Sequence, residues 1–315
     1  MKSAKYRQLL VIARVVVGVG LIVFLFRTLD ISTLIGHIRT VELKYLAYAA
    51  IPYILFVILS AWRWQILLDF KRFTMPFNRT LRIYLISLFF NNFLPTTVGG
   101  DMMRVVYTMK DRRADSLATV LVDRILGFVG LFIFALFAVV YLLMVKNETE
   151  FLPFMVIGLV VVSLITFLFF SRRAYRVISP LICKVRIFGA GARIRRLHEA
   201  GNDFSNAWGT IIACIVLSIL IQATLAIAPY LVLLGMGNTG VNLLPFFIYV
   251  PIINVISMIP VSLNGLGIRE NFYVILFSRA GLSGELSLAI SLLSFFVIFM
   301  LSLNGGVLFV FNKQR

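Results

Sequence analysis

Residues 91–104 read Asn91-Asn92-Phe93-Leu94-Pro95-Thr96-Thr97-Val98-Gly99-Gly100-Asp101-Met102-Met103-Arg104 and close an apolar run that begins near Leu81. A second apolar run, 243–262, leads into Ile259-Pro260-Val261-Ser262-Leu263-Asn264-Gly265-Leu266-Gly267-Ile268-Arg269-Glu270. Proline removes a backbone donor and glycine loosens the chain, so a helix is expected to break at both places. A broken backbone facing lipid leaves its peptide groups unpaired. It survives only when packed in protein or lining a wet cavity. Two such breaks predict two helical hairpins that enter a bilayer and turn back.

The rest of the chain supplies the bilayer-crossing helices. Unbroken apolar runs lie at 9–29, 43–62, 117–145, 152–170, 209–234 and 285–311. Each is close to the roughly 20 residues that one crossing needs, and all are too long for barrel strands. Of 315 residues, 61% are hydrophobic and 14% charged. Soluble domains carry about 45–50% apolar and about 25% charged residues. These numbers exclude a soluble enzyme, a disordered chain and a nucleic-acid-binding domain. The first run is too long for a signal peptide and lacks a small-residue cleavage site, so it is read as a span.

Basic residues set the topology. Lys2, Lys5 and Arg7 place the N-terminus in the cytoplasm. The linker 30–42 is balanced and reads as external. Arg63, Lys71, Arg72, Arg79 and Arg82 follow the second span as a cytoplasmic flank, and Lys110, Arg112 and Arg113 follow the first break. With both flanks on one side, the segment 81–110 does not cross. Glu148 and Glu150 mark an external linker, and the basic linker 171–208 returns to the cytoplasm as a solvated loop or an interfacial helix. Gly235–Gly240 is uncharged and external, and Lys313 and Arg315 end the chain in the cytoplasm. The second hairpin then enters from outside. The formal net charge of +17 follows from topology and anionic lipid, not from nucleic acid.

A shift of 165 residues lays Tyr84 on Tyr249, Pro95 on Pro260, Gly100 on Gly265 and Arg104 on Arg269. The neighbouring spans keep nearly the same spacing and run in opposite directions by charge. The expected fold is therefore all-α: six transmembrane helices plus two re-entrant hairpins in an inverted-topology repeat. Residues 1–145 form one half and 152–311 the other, within a single membrane domain.

Hairpin tips expose the N-termini of their return helices, whose amides suit a phosphate or carboxylate. Pro95, Gly99, Gly100, Pro260, Gly265 and Gly267 shape these tips, and Asn91, Asn92, Thr96, Thr97 and Ser262 offer polar groups there. Arg104 and Arg269 follow at matched positions as the expected anion-binding residues, facing one shared cavity. Asp101 and Glu270 are expected to hold them or bind a coupling cation, with Asp101 and Arg104 spaced to pair on one helix face. Asp123 and Arg124 form a third charged pair inside a span, where ionisable groups face a cavity or a partner. Cys183 and Cys214 are not expected to form a disulfide. His37 and His198 are isolated, so neither a metal site nor a cofactor is expected. No nucleotide-binding loop supports direct use of ATP.

The motifs at 91–104, Asp123-Arg124-Ile125-Leu126-Gly127 and 259–270 together resemble the lysylphosphatidylglycerol synthase transmembrane (flippase-like) family, across nearly the whole chain. Asp123 stands where that family often has Glu, and Asn264 where it often has Gly. The resemblance implies a multi-pass protein of the cell (inner) membrane that moves an anionic or aminoacylated phospholipid between leaflets. Bifunctional members add a soluble synthase domain, which is expected to be missing here because the sequence stops soon after its last span. No enzyme activity is therefore expected. Two further readings stay open: transport of a polyprenyl-phosphate-linked sugar or its carrier lipid, and a non-transporting membrane subunit that partners a glycosyltransferase or lipid synthase.

Overall fold

The computed structural model describes residues 2–93, 98–108, 111–147, 149–170, 201–258, 262 and 265–311. Among these residues there are eleven α-helices and no strand. In chain order they are α1 (Lys2–Thr28), α2 (Ile31–Arg39), α3 (Leu43–Phe70), α4 (Phe77–Phe93), α5 (Val98–Thr108) and α6 (Arg113–Lys146). They continue with α7 (Leu152–Phe170), α8 (Trp208–Gly235), α9 (Leu244–Ser257), α10 (Ile268–Ser278) and α11 (Gly284–Phe311). Five of them, α3, α6, α7, α8 and α11, are long and apolar enough to cross a bilayer. A sixth span results if α1 and α2, bent by 94° at their junction, are taken together. The protein is an all-α, multi-pass membrane protein, as its apolar runs require.

Two boundaries differ from the sequence expectation. The second span does not stop at 62, and Arg63 is not part of a flank. α3 runs on to Phe70 because Arg63 is neutralised inside the protein, while Leu67 and Leu68 continue the buried face. The helix ends where Arg72 adopts a left-handed φ of 56° and the Phe73 N–H reaches back to the Leu68 carbonyl. The linker 30–42 contains α2. Its N-cap Asp30 accepts from the Ser32 N–H at 2.9 Å and the Thr33 hydroxyl at 2.7 Å.

Both expected breaks separate short helices. α4 and α5 have 17 and 11 residues, and α9 and α10 have 14 and 11. Each falls short of the roughly 20 residues a crossing needs. Leu94, Pro95, Thr96 and Thr97 lie outside the described residues, as do Pro260, Asn264 and Lys110. So do residues 171–200, with Cys183 and His198, and the chain end from 312. The shift of 165 carries both ends of α3 onto both ends of α8, and the last residue of α6 onto the last residue of α11.

The chain divides into two compact units that interleave in sequence. Unit 1 holds Met1–Phe56, Leu88–Gly100 and Gln222–Arg315, and unit 2 holds Val57–Ser87 and Asp101–Ile221. In unit 1, Leu25 and Leu34 pack on Leu288 and Ala289 of α11. Ala49, Val232 and Leu293 form a second cluster, and Tyr53, Ala228 and Val297 a third. In unit 2, Trp64, Leu68, Phe73, Ile83, Val105 and Val120 form one cluster and Leu67, Val122, Leu126, Phe204 and Cys214 another.

Helices in lipid associate through close packing, not through apolar burial from water, and small residues let them approach. α6 shows this: a Cβ on Gly130 would lie 2.2 Å from the Ser218 Cβ of α8.

Candidate functional site

Unit 2 sets three arginines against two aspartates. Asp123, 2% exposed on α6, accepts from Arg63 Nε of α3 at 2.7 Å and from Arg104 Nη2 of α5 at 2.8 Å. Arg63 also donates to the Ser218 hydroxyl at 2.8 Å, which in turn donates to the Cys214 carbonyl. Arg104 is buried, with its guanidinium 4.3 Å from the Trp64 ring centre and 5.3 Å from that of Tyr84. Trp64 is held by a bond from its indole N–H to the Thr119 hydroxyl. Arg124 Nε donates to Asp101 Oδ2 at 2.8 Å. Gly127 makes room for this network, since a Cβ there would sit 3.1 Å from Arg63 Nη1.

The expected pairs are thus rearranged. Asp101 and Arg104 are on one face, but their closest approach is 3.7 Å, and the short contact of Asp101 goes to Arg124. Asp123 and its neighbour Arg124 point to different partners. The reason is geometric: side chains one residue apart on a helix diverge by about 100°, so adjacent charges do not face each other. Arg63, Trp64 and Ser218 are members that sequence reasoning missed. Their signal was the apolar run Ile66-Leu67-Leu68 directly after Arg63, which places the charge inside a helix.

Unit 1 builds a different arrangement on the first turn of α10. Gly267, with φ +82°, is the N-cap, and its N–H donates to Glu270 Oε2 at 2.7 Å. Glu270, 1% exposed, is therefore a capping carboxylate. Its Oε1 accepts from Arg269 Nε at 3.0 Å and also from Arg269 Nη2. The Asn271 amide donates to the Gly267 carbonyl at 2.7 Å. Arg269 lies 4.7 Å from the Phe295 ring centre of α11, and its side chain is 22% exposed. Among the described residues Glu270 is its ion-pair partner, which leaves three of the five guanidinium N–H groups for something else.

Of the other expected tip residues, Asn91 Oδ1 accepts from the Gly100 N–H at 3.2 Å and ties α4 to the start of α5. Asn92 Nδ2 is buried without a hydrogen bond, as is the Ser262 hydroxyl. Gly265 has φ +74°. Gly267 also abuts α1, where a Cβ would lie 2.7 Å from the Gly18 carbonyl oxygen. At the end of the basic linker, Phe204 is fully buried and Asp203 accepts from Lys71 at 2.6 Å. No group of three or more His, Cys, Asp or Glu suited to a metal occurs among the described residues.

Long apolar helices, short helices on either side of both expected breaks and arginines neutralised inside the protein define a multi-pass α-helical membrane protein with an ionic interior. Over residues 11–305 the sequence matches the family described as the lysylphosphatidylglycerol synthase TM region, and the chain belongs to it. UPF0104 membrane protein PH1989 of Pyrococcus horikoshii is 23% identical over 325 residues, covering 95% of this chain and 96% of that protein. No solved structure matches.

Proposed function

We propose that the protein moves an anionic or aminoacylated phospholipid between leaflets and that Arg269 engages the headgroup phosphate. The observation that carries this reading is the state of Arg269. It is partly exposed on the first turn of α10, beside two left-handed glycines, and most of its donors are uncommitted among the described residues. A guanidinium keeps its charge and grips a phosphate with parallel hydrogen bonds. The free amides of the same helix start favour the same anion. A lipid whose tails stay in the bilayer needs only its headgroup to pass through protein, which suits short helices among long spans. On this reading the two halves are inverted repeats, the hairpins re-enter from opposite faces, and both termini are cytoplasmic.

The test is leaflet exchange in proteoliposomes with fluorescent phosphatidylglycerol. Arg269→Gln should fold and slow exchange by about tenfold or more, the scale of one lost charge-assisted hydrogen bond. Equal rates for the variant and the wild-type protein would refute the proposal.

A further inference from the structure

α2 stands across the helices of unit 1 instead of along them. It leaves α1 at 94°, so it does not extend the crossing that the 27 residues of α1 already complete. Contacts within unit 1 fix its level. The Glu42 N–H donates to the carbonyl of Gly235, the last residue of α8, at 2.8 Å. The Asp30 N–H donates to Glu285 in the first turn of α11 at 3.4 Å, and a Cβ on Gly284 would lie 2.7 Å from Leu29. The end of α1, the start of α3, the end of α8 and the start of α11 therefore share one level, and α2 joins the first two. A helix at the common end of several spans lies at the boundary of the bilayer, not at its centre.

The side chains of α2 are sorted accordingly. At 3.6 residues per turn, Ile31, Leu34, Ile35 and Ile38 fall within one arc of about 100°, and Ser32, Thr33, Gly36, His37 and Arg39 take the rest. Protein covers one side of the apolar arc: Leu34 is buried on Leu25, Leu288 and Ala289, with Ile38 beside them. Ile31 and Ile35, one turn apart, stay 47% and 42% exposed. Phe24, Phe26, Leu43 and Tyr48 are exposed on the ends of α1 and α3 that flank α2. Water would wet all of these side chains, whereas the boundary between headgroups and acyl chains buries them.

Charge completes the surface. Arg39 lies one turn beyond Ile35 at the edge of the apolar arc, and Arg27 stands in the last turn of α1; both are exposed. Glu42 pairs with Lys44 at 2.6 Å, and Asp30 is occupied in capping α2. Neither arginine has an ion-pair partner among the described residues. An arginine at such an edge lays its stem along apolar surface and sets its guanidinium among headgroup phosphates.

We infer that α2 is a docking surface for anionic phospholipid, lying in the plane of the bilayer surface with Ile31 and Ile35 in the acyl boundary and Arg27 and Arg39 on headgroup phosphates. In the topology proposed above this is the outer leaflet. The surface is separate from Arg269 and stands whether or not the protein moves lipid.

Fluorescence quenching on the full chain in liposomes tests it. With Cys183→Ser and Cys214→Ala as background, a label is placed through Ile35→Cys or, on the polar face, through Gly36→Cys, where a Cβ meets nothing within 4 Å. A quencher high on the acyl chain should act about threefold more strongly on the label at 35, as a face buried about 5–10 Å into the boundary requires, and aqueous iodide should act more strongly at 36. Equal lipid quenching at both positions, or stronger iodide quenching at 35, overturns the inference. A label at 35 that neither quencher reaches is covered by protein, which overturns it too. With the quencher carried on phosphatidylglycerol, quenching at 35 should be about threefold stronger than with the same quencher on phosphatidylcholine, and Arg27→Gln with Arg39→Gln should abolish the difference. No preference before the double replacement, or a preference that survives it in a folded protein, overturns the assignment of the two arginines.

Discussion

Arg104 and Arg269 coincide under the sequence shift of 165, but Arg104 lies in the middle of α5 (Val98–Thr108) and Arg269 in the first turn of α10 (Ile268–Ser278), and their surroundings have little in common. Arg104 is 3% exposed, held by an aspartate from another helix and flanked by Trp64 and Tyr84. Arg269 is bound by its own sequence neighbour, whose carboxylate already serves as a helix cap, and it stays partly exposed. A guanidinium locked by long-range partners stabilises a fold. One held by a single local partner can exchange it for a ligand. Under the proposed function the difference gives Arg104 an architectural role and Arg269 the lipid contact, and it can be broken experimentally.

The largest expected effect is at Asp123. Asp123→Asn leaves Arg63 and Arg104 buried without a counter-charge, a situation that costs about 3–5 kcal/mol. The measurement is thermal unfolding in detergent, and a melting temperature like that of the wild-type protein would remove the distinction between the sites.

Next comes Arg104→Lys, which gives up the planar fork and its stacking and should cost about 1.5–3 kcal/mol. Arg269→Lys should lose well under about 1 kcal/mol, as a partly exposed pair does, but slow lipid exchange. Melting curves and exchange rates on the same samples decide; if Arg104→Lys retains full stability and Arg269→Lys does not, the assignment is reversed.

Gly267→Ala should cost about 1–3 kcal/mol, because it forces a side chain into a left-handed position and against the Gly18 carbonyl. This loss should show as reduced melting temperature. The smallest effect is expected for Glu270→Gln. Glutamine can still accept the Gly267 N–H, so stability should change by less than about 1 kcal/mol. Arg269, freed of its partner charge, should bind phosphatidic acid more tightly in a titration.

The spans were legible because lipid imposes a length and forbids exposed peptide groups, so runs such as 152–170 and 285–311 have one physical solution. The break before α10 was legible through Gly265, which has φ +74°, whereas Gly99 and Gly100, read as part of the first tip, lie inside the first turn of α5. Arg63 was not. Counting positive charge as loop charge sends it to a flank, and the aspartate that keeps it buried lies 60 residues away. The pairing of Asp101 was half legible. Helix spacing puts it beside Arg104, but only the approach of α6 brings Arg124 close enough to compete.

The fit of Gly127 against the Arg63 guanidinium has an evolutionary consequence. A methyl group at 127 would crowd that guanidinium, and a methyl at 130 would strike Ser218, the residue that receives an Arg63 hydrogen bond. Positions 63, 123, 127, 130 and 218 are therefore expected to change together. A lineage that replaces Arg63 with a smaller neutral residue frees 127 to enlarge and leaves Asp123 without half of its partners. Substitutions in this block should appear together or not at all when related chains are aligned, and a single member transplanted between distant relatives should fail where the whole set succeeds.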